Sequence, residues 1–202
     1  MEQPSETIDC QDFALRRWRA ENDFDALFRM IEESLDHLRP WLPWVARHGR
    51  QHTREFLAGC DPKWRSGDAY NYAITANDAL VGSLSLYRAD EPEGRVLGYW
   101  LHPAAVGRGI ATRAAAAVVF EAFASLPDVE YVEIVHDLAN AASGAVPRRL
   151  GFTEVRREQV SQPVAPGDSG TDVIWRLNRH ASPLTGTVRP RATGAPGAAD
   201  RM

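Results

Sequence analysis

A glycine-containing turn in the middle of the chain is the segment best suited to chemistry. Residues 98–112 read GYWLHPAAVGRGIAT, in which a predicted strand ends at His102 and a predicted helix begins at Gly109. Gly107 and Gly109 can adopt φ values that other residues avoid. The exposed N–H groups of the turn and of the first helical turn, together with the helix dipole, form a site suited to phosphate groups. The turn therefore indicates a binding site for a phosphorylated ligand.

The spacing of these two glycines excludes two common phosphate-binding motifs. No Lys-Ser/Thr pair follows Gly109, so the turn is not a P-loop. A third glycine and a position early in the chain are both missing, so it is not a dinucleotide-binding fingerprint. On the spacing alone, an ordinary strand-to-helix turn is the favoured interpretation. If the turn binds a ligand, the remaining candidate is a molecule with a pyrophosphate-type group, because the sequence lacks the motif of a nucleoside triphosphate site.

The composition is typical of one globular domain. The 202 residues are 44% apolar and 25% charged, which is enough chain to bury a substantial core. The N-terminus lacks the order of a secretory signal, and no apolar run approaches the roughly 18 residues that span a bilayer. Cys10 and Cys60 match no metal site, and two cysteines form no disulfide framework. These features predict a cytoplasmic protein without a metal or a membrane partner.

The distribution of charge limits the classes of partner. The net charge is −4, and the last 22 residues carry Arg189, Arg191 and Arg201 against Asp200, so the rest of the chain is about −6. Binding of nucleic acid depends on a basic surface, which an acidic body does not provide. The charge instead favours a cationic or amine-bearing substrate through electrostatic steering.

Composition and periodicity divide the chain into three parts. We predict a flexible N-terminus over residues 1–12, an ordered domain over 13–180, and a disordered tail over 181–202 that is rich in Pro, Gly, Ala, Thr and Arg. An amphipathic helix follows the first strand, with Asn22 as its predicted N-cap. The predicted strands span 13–18, 70–75, 80–87, 95–101, 131–136, 152–160 and 171–179, and further helices span 52–64, 109–123 and a short segment before Gly151.

The order of these elements predicts the fold class. A strand, the glycine-containing turn, a helix and a second strand follow one another over residues 95–136, and predicted antiparallel strands surround this unit. Such an arrangement indicates an α+β fold with a central mixed, mostly antiparallel sheet of about seven strands and about four flanking helices.

In these motifs the chain resembles the GNAT acyltransferases, whose signature is Gln/Arg-x-x-Gly-x-Gly/Ala. Residues 106–111, VGRGIA, match this signature, with Val106 in place of Gln or Arg. The resemblance is to the ribosomal-protein N-terminal acetyltransferase (Rim-type) branch. It also rests on GYWL (98–101), on Asn140-x-x-Ser143 followed by LGF (150–152), and on WLPW (41–44). It covers roughly residues 13–179 and implies a three-layer GNAT fold with a splayed pair of strands.

The resemblance implies where the acyl-CoA donor lies. The strand end at Trp100, Leu101 and His102 would hold the pantetheine arm, and a backbone N–H near Leu101 would stabilise the oxyanion. Positioning and oxyanion stabilisation suit an activated thioester. The backbone N–H groups that would bind the CoA pyrophosphate belong to Gly107, Arg108, Gly109, Ile110, Ala111 and Thr112.

The resemblance also assigns roles to Asn140 and Ser143. Asn140 would hydrogen-bond to CoA, and Ser143 would donate a proton to the leaving sulfur. Alternatively, both residues cap the short helix before Gly151, a position that Asn and Ser favour. Gly144 and Pro147 lie in that helix, and a proline beyond the first turn removes an N–H and can kink it.

The general base is the least defined part of the predicted site. Two positions that often hold Glu in this branch are Val96 and Gln162 here. Glu158 shares the strand parity of Gln162 and is the substitute candidate, with a solvated strand charge as the alternative. His102 and His136 are further candidates for proton relay, although a strand-end turn and a buried strand end are the favoured interpretations. A water-mediated base would leave no trace in the sequence.

Trp41 and Trp44 are the candidate acceptor-site residues. Two tryptophans in a proline-rich loop after the first helix could form the wall of an acceptor pocket. Core packing or a contact between two copies fits equally well, because buried aromatic rings serve all three purposes. The chain is expected to be a monomer or a homodimer.

These inferences predict an enzyme that transfers an acetyl or another acyl group from acyl-CoA to a primary amine, for example a protein N-terminus. A small-molecule amine acyltransferase, including one that uses succinyl-CoA, is the alternative in the same class. A CoA-binding module with weak catalysis is the alternative from a different class, motivated by Val106 and the undefined base.

Overall fold

The computed structural model describes residues 3–161 and 165–181. In these residues the chain forms one eight-stranded sheet in the order β1-β2-β3-β4-β5-β6-β8-β7, and only β5 and β6 run parallel. The strands are β1 (Thr7–Asp9), β2 (Ala14–Arg17), β3 (Ala69–Ala76), β4 (Ala79–Arg88), β5 (Gly94–Leu101), β6 (Tyr131–Asp137), β7 (Thr153–Gln159) and β8 (Thr171–Asn178). The α-helices are α1 (Ala20–Glu32), α2 (Leu35–Leu38), α3 (Arg50–Ser66), α4 (Ile110–Ser125) and α5 (Ala141–Arg149).

This architecture confirms the predicted mixed, mostly antiparallel α+β fold. The described residues contain eight strands where about seven were expected, and five α-helices where about four were expected. The additional helix is α2, a single turn of four residues. The additional strand is β1, in the segment predicted to be a flexible N-terminus.

The N-terminal segment therefore requires a correction. Residues 7–9 pair antiparallel with β2, and the Ile8 side chain is 1% exposed. Ser5 holds the same segment against α4, because its N–H and hydroxyl both donate to Glu121 at 2.6 Å. Local composition does not reveal these distant partners. Residues 182–202, almost all of the predicted tail, lie outside the described residues.

Helices cover the sheet in two layers. The small side chains of Ala115, Val118 and Ala122 are at most 1% exposed, and they let α4 pack closely against the sheet. A second cluster joins α1 and α3 to Trp18 and to Ala73 on β3. Because an apolar helix face gains stability mainly by burial, these two clusters hold the layers together.

The start of α1 differs from the prediction. The helix begins at Ala20, and Arg19, rather than Asn22, is its N-cap residue. The Asp23 carboxylate accepts the Arg19 N–H at 2.7 Å and pairs with both terminal nitrogens of Arg16 on β2 at 2.7 Å. A carboxylate in the first turn that reaches back to the N-cap satisfies a donor that the helix leaves open.

Candidate active site

A cavity of about 930 Å³ opens where β5 and β6 diverge. The two strands pair only over Gly94–Val96 and Tyr131–Glu133, and beyond these residues β5 pairs with β4 alone. The predicted splayed pair is therefore present. The walls of the cavity come from the end of β5, the turn before α4, the start of α5, α2 and the start of β8.

The turn before α4 forms one end of this cavity. Gly107 and Gly109 have φ values of 76° and 72°, the left-handed region that favours glycine, and Gly109 is the N-cap of α4. The first helical acceptor is Gly109, which receives the N–H of Arg113. The N–H groups of the intervening residues have no carbonyl partner within the helix. Gly107, Gly109, Ile110, Ala111 and Thr112 all line the cavity, whereas the exposed Arg108 is not among its lining residues.

The backbone of β5 presents further N–H groups to the cavity. His102 donates its N–H to Val81 at 2.9 Å, which fixes the alternation of hydrogen bonds between β5 and β4. In an antiparallel pair, hydrogen-bonded residues alternate with residues whose backbone groups point away from the partner strand. The N–H groups of Leu101 and Tyr99 accordingly point across the splay, away from β4. Leu101, the predicted oxyanion donor, thus has the required direction.

The two neighbours of Leu101 differ in their positions. Trp100 lines the cavity, as predicted, and its ring lies 6.0 Å from that of Trp44. His102 is not a lining residue. Its Nδ1 accepts the Ala104 N–H at 3.2 Å, and its Nε2 lies 3.3 Å from the Glu33 carboxylate without hydrogen-bond geometry. The strand-end interpretation therefore describes His102 better than a role at the ligand.

Asn140 and Ser143 both line the cavity at the start of α5. Asn140 is the N-cap, and its Oδ1 accepts the Ser143 N–H at 3.1 Å. The capping interpretation is thus correct for Asn140, and the same cap fixes the position of Ser143. The Tyr99 hydroxyl donates to the Ser143 carbonyl at 3.2 Å and lies 3.5 Å from Ser143 Oγ. No motif in the sequence indicates this role of Tyr99.

Gly144 and Pro147 do not disrupt α5, which is helical through both residues. A Cβ on Gly144 would lie 2.6 Å from the His136 ring, so only glycine allows this close approach. Pro147 is buried in the second half of the helix, where its ring can pack without displacing Ser143. The helix therefore keeps Ser143 at the cavity.

His136 lines the cavity, but both of its ring nitrogens have partners. Nδ1 lies 2.7 Å from the Asp137 carbonyl, and Nε2 accepts the Trp175 Nε1–H at 3.0 Å. This pattern fixes the neutral tautomer with the proton on Nδ1. Protonation of Nε2 would break the bond to Trp175, so the structure favours the buried strand-end interpretation over a proton relay.

Glu158, the predicted base, does not line the cavity. Its exposed carboxylate accepts a hydrogen bond from Arg156 Nε at 2.6 Å, and it is absent from the cavity lining. The cross-strand partner of Glu158 on β8 is Asp172, which does line the cavity. Gln162, the other position considered for the base, lies outside the described residues.

Asp172 is the carboxylate that sequence reasoning missed. Burial raises its pKa above the ordinary range of an aspartate, and the nearby carboxylates of Asp137, Asp168 and Glu158 raise it further. Asp137 is itself held by the N–H and hydroxyl of Ser169 and by the N–H of Ala139. Its pKa is lowered because these donors outweigh the effect of its burial.

Two loops meet over the end of the cavity that contains Asp172. The Gly167 N–H donates to the Pro40 carbonyl at 2.8 Å, which joins the β7–β8 loop to the loop after α2. Trp41 lines the cavity directly behind this contact, together with Asp168. Trp44 is not a lining residue and acts through its contact with Trp100. Of the two predicted acceptor-site residues, Trp41 alone faces the cavity.

Two further properties of the described residues concern partners. No group of three or more His, Cys, Asp or Glu side chains within them could hold a metal ion. Within residues 3–161 and 165–181, no helix is both long enough and apolar enough to cross a membrane.

The splayed strands, the N–H groups before α4 and the cavity between them define the GNAT class of acyltransferase. A comparison with known families supports this assignment, because the acetyltransferase (GNAT) domain matches residues 12–153, more than half of the chain. The chain belongs to the GNAT acetyltransferase family. It is an acyl-CoA-dependent N-acetyltransferase that uses acetyl-CoA as its co-substrate.

Individual relatives agree with this family. The chain is 30% identical over 138 residues to the Bacillus subtilis (strain 168) protein named "Putative ribosomal N-acetyltransferase YdaF", covering 65% of this chain and 73% of that protein. RimL, the ribosomal L7/L12 alpha-N-protein acetyltransferase, has been solved with coenzyme A. It superposes with a TM-score of 0.79 at 25% identity over 88% of this chain and all of that chain.

A second solved structure is similar in fold. It is the microcin C7 self-immunity acetyltransferase MccE in complex with acetyl-CoA and AMP. It superposes with a TM-score of 0.76 at 20% identity, covering 83% of this chain and 93% of that chain. The Rim-type relatives support the branch predicted from GYWL and the Asn140-x-x-Ser143 segment.

Proposed function

We propose that this enzyme acetylates the α-amino group of a protein N-terminus by direct attack of the amine on the thioester of acetyl-CoA. The observation that carries the proposal is a single cavity of about 930 Å³ whose lining combines two chemically different sets of groups. Backbone N–H groups before α4 form one set, which we call the donor end, and a carboxylate and an indole ring form the other, which we call the acceptor end. A cavity of this size is wide enough for a cofactor arm and the end of a peptide.

The donor end holds the phosphates and the thioester. The N–H groups of Ile110, Ala111 and Thr112, at the positive end of α4, would bind the pyrophosphate of CoA. The pantetheine arm would then follow β5 across the splay. There, the N–H of Leu101 is directed at the position where negative charge develops on the thioester oxygen during attack.

The acceptor end attracts and deprotonates an amine. Asp172 lines this end, and its carboxylate lies among other acidic groups, which favours a cationic ligand. An amine attacks only as the free base, so a carboxylate with a raised pKa is suited to accept its proton. Trp41 provides an apolar surface for the first side chain of a peptide.

The departing thiolate meets Ser143. When the tetrahedral intermediate collapses, the C–S bond breaks and the electron pair remains on sulfur. A hydrogen bond from the Ser143 hydroxyl would stabilise this charge, and the thiol finally gains one proton for the one that the amine lost. The products are the acetylated amine and free CoA.

The test is release of CoA thiol from acetyl-CoA with matched acceptors. We expect turnover with short peptides that carry a free N-terminus, and none with the same peptides after N-terminal formylation. Lysine-containing peptides with a blocked N-terminus test the side-chain amine separately.

Two outcomes would replace the proposal. Turnover limited to small amines, at equal or better kcat/KM than any peptide, would identify a small-molecule acetyltransferase, and the same assay with succinyl-CoA tests the donor. Tight CoA binding without turnover on any acceptor would identify a CoA-binding module.

A further inference from the structure

The carbonyl of Ser143 occupies an unusual position in α5. In an α-helix this carbonyl accepts the N–H of the residue four positions later. That residue is Pro147, which has no N–H. The Ser143 carbonyl therefore lacks its usual hydrogen-bond partner within the helix, and Ser143 is also the residue whose side chain faces the cavity.

The Tyr99 hydroxyl fills this place. It donates to the Ser143 carbonyl at 3.2 Å, and its oxygen lies 3.5 Å from Ser143 Oγ. Tyr99 belongs to β5, on the opposite side of the splay from β6, so this bond ties α5 to the strand along which the donor would lie. From the other side, His136 on β6 contacts α5 closely at Gly144.

Resting on the proposed function, we propose that Tyr99 is a positioning residue for acetyl transfer. It holds Ser143 at the departing sulfur of CoA by replacing, at the Ser143 carbonyl, the N–H that Pro147 lacks. Tyr99 does not touch the reacting atoms in this arrangement. It acts through Ser143.

The acidity of Tyr99 fits positioning rather than proton supply. Burial raises the pKa of Tyr99 to about 12, although its hydrogen bond to Ser143 opposes the rise. A thiol such as that of CoA has a pKa of roughly 8.5, so the phenol is the weaker acid and keeps its proton. At 3.5 Å the contact with Ser143 Oγ is long, and the Ser143 hydroxyl can turn toward sulfur at little cost.

Tyr99→Phe removes the hydroxyl and leaves the ring. We expect kcat for acetyl transfer to fall about 10-fold, with KM for acetyl-CoA unchanged within about two-fold, since one hydrogen bond is lost. Tyr131→Phe is the matched control, because burial also raises the pKa of Tyr131 to about 12, but its hydroxyl donates to Glu91 away from the cavity. It should leave kcat unchanged.

Two double variants separate positioning from general packing. Pro147→Ala supplies an N–H to the Ser143 carbonyl, so it should restore most of the activity lost in Tyr99→Phe. In the Ser143→Ala background, Tyr99→Phe should have no further effect, because residues that act as one unit are not additive. Full additivity with Ser143→Ala, together with no rescue by Pro147→Ala, would overturn the proposal.

A measurement on bound CoA makes the inference independent of the acceptor. Thiolate absorbance of CoA bound to the protein is titrated between about pH 6 and 9.5, with the acetyl-CoA complex as the thiol-free reference. Tyr99→Phe should raise the pKa of the bound thiol by about one unit, and Pro147→Ala should reverse the rise. An unchanged thiol pKa in Tyr99→Phe would refute the role of Tyr99. A changed thiol pKa without turnover on any amine would instead refute the proposed function alone.

Discussion

The two ends of the cavity differ in the chemical groups that line them. The donor end consists of backbone N–H groups from one continuous segment, at Gly107 to Thr112 and along β5. The acceptor end consists of side chains from distant segments, namely Trp41 after α2 and Asp172 at the start of β8. A backbone site tolerates changes of side chain, whereas a side-chain site changes its specificity with each substitution. We therefore expect substitutions to alter acceptor specificity more readily than donor binding.

The departure at Val106 illustrates the tolerance of the donor end. Val106 is 45% exposed at the cavity and offers no hydrogen bond to a phosphate. The N–H groups that follow Gly109 do not depend on it. We therefore expect the missing side-chain contact to weaken CoA binding without removing the site.

The largest expected effect is a loss of CoA affinity after a substitution at the donor end. Gly109→Glu places a carboxylate at the N-terminus of α4, where CoA phosphates would lie, at a φ of 72° that favours glycine. Like charges a few ångströms apart cost about 3–4 kcal/mol, so CoA affinity should fall by on the order of 10²–10³-fold in a binding titration. Gly49→Glu is the control, because Gly49 is the N-cap of α3 with space for a Cβ. Unchanged CoA affinity in Gly109→Glu would contradict the assignment of this end.

The second prediction is a loss of catalytic efficiency toward the amine after a substitution at the acceptor end. Asp172→Asn should lower kcat/KM for the amine by on the order of 10²-fold, because general base catalysis is lost, while CoA affinity stays the same. The base works only when deprotonated, so activity should rise with pH through its pKa. Because that pKa is raised, this acid limb lies above the ordinary range of aspartate. The limb should vanish in pH profiles of Asp172→Asn.

The competing variant for the base is Glu158→Gln. Glu158 is exposed and paired with Arg156, so its loss should cost little activity. If the main loss and the missing acid limb occur in Glu158→Gln instead, the base is Glu158 and the assignment of Asp172 is wrong.

The third prediction compares the effects of substituting two tryptophans that lie close together in the sequence, Trp41 and Trp44. Trp41→Ala should raise KM for a peptide acceptor about 10-fold, since it removes an aromatic surface of the cavity, and should leave acetyl-CoA binding unchanged. Trp44→Ala should instead lower the melting temperature, because Trp44 packs on Trp100. Steady-state kinetics and thermal unfolding of both variants would separate the two roles. Equal effects of both variants on KM would argue against the distinction.

The smallest expected effect is a gain in CoA affinity after a substitution at the donor end. Val106→Arg adds the cation that the family signature places here, and a charge-assisted hydrogen bond to phosphate should lower the Kd for CoA by about 3–10-fold. Val155→Arg is the control, because Val155 is 46% exposed on β7 outside the cavity. An equal gain in both variants would indicate only a general effect of charge.

Local sequence predicted individual elements well wherever the relevant physics is local. Asn77 and Asp78 form the turn between β3 and β4, and both adopt positive φ, as short hairpins require. The alanine-rich run in α4 is buried against the sheet. The start of α1 was misplaced because its cap depends on Asp23 and on Arg16 from the neighbouring strand.

The candidate site divides in the same way. The glycines of the turn carry a strong local signal, because positive φ at an N-cap restricts the residue type. Glu158 was the predicted base, but its cross-strand partner Asp172 is the one of the two that lines the cavity. Strand parity alone could not distinguish them, because cross-strand partners lie on the same face of the sheet, and only β8 is adjacent to β6. Tyr99 carried no signal for its role, because its partner is a carbonyl in a helix 44 residues away.

The sequence by itself determined the turn from Gly107 to Thr112 and the strands on either side of it, whereas the class of donor followed from the resemblance to the GNAT family. These features depend on backbone conformation and on short-range periodicity, which neighbouring residues encode. Tertiary structure decided that β1 joins the sheet, that Trp41 rather than Trp44 faces the cavity, and that Asp172 rather than Glu158 lines its acceptor end. These features depend on which distant side chains meet and how deeply they are buried. Only folding brings those groups within hydrogen-bonding and Coulomb range of one another.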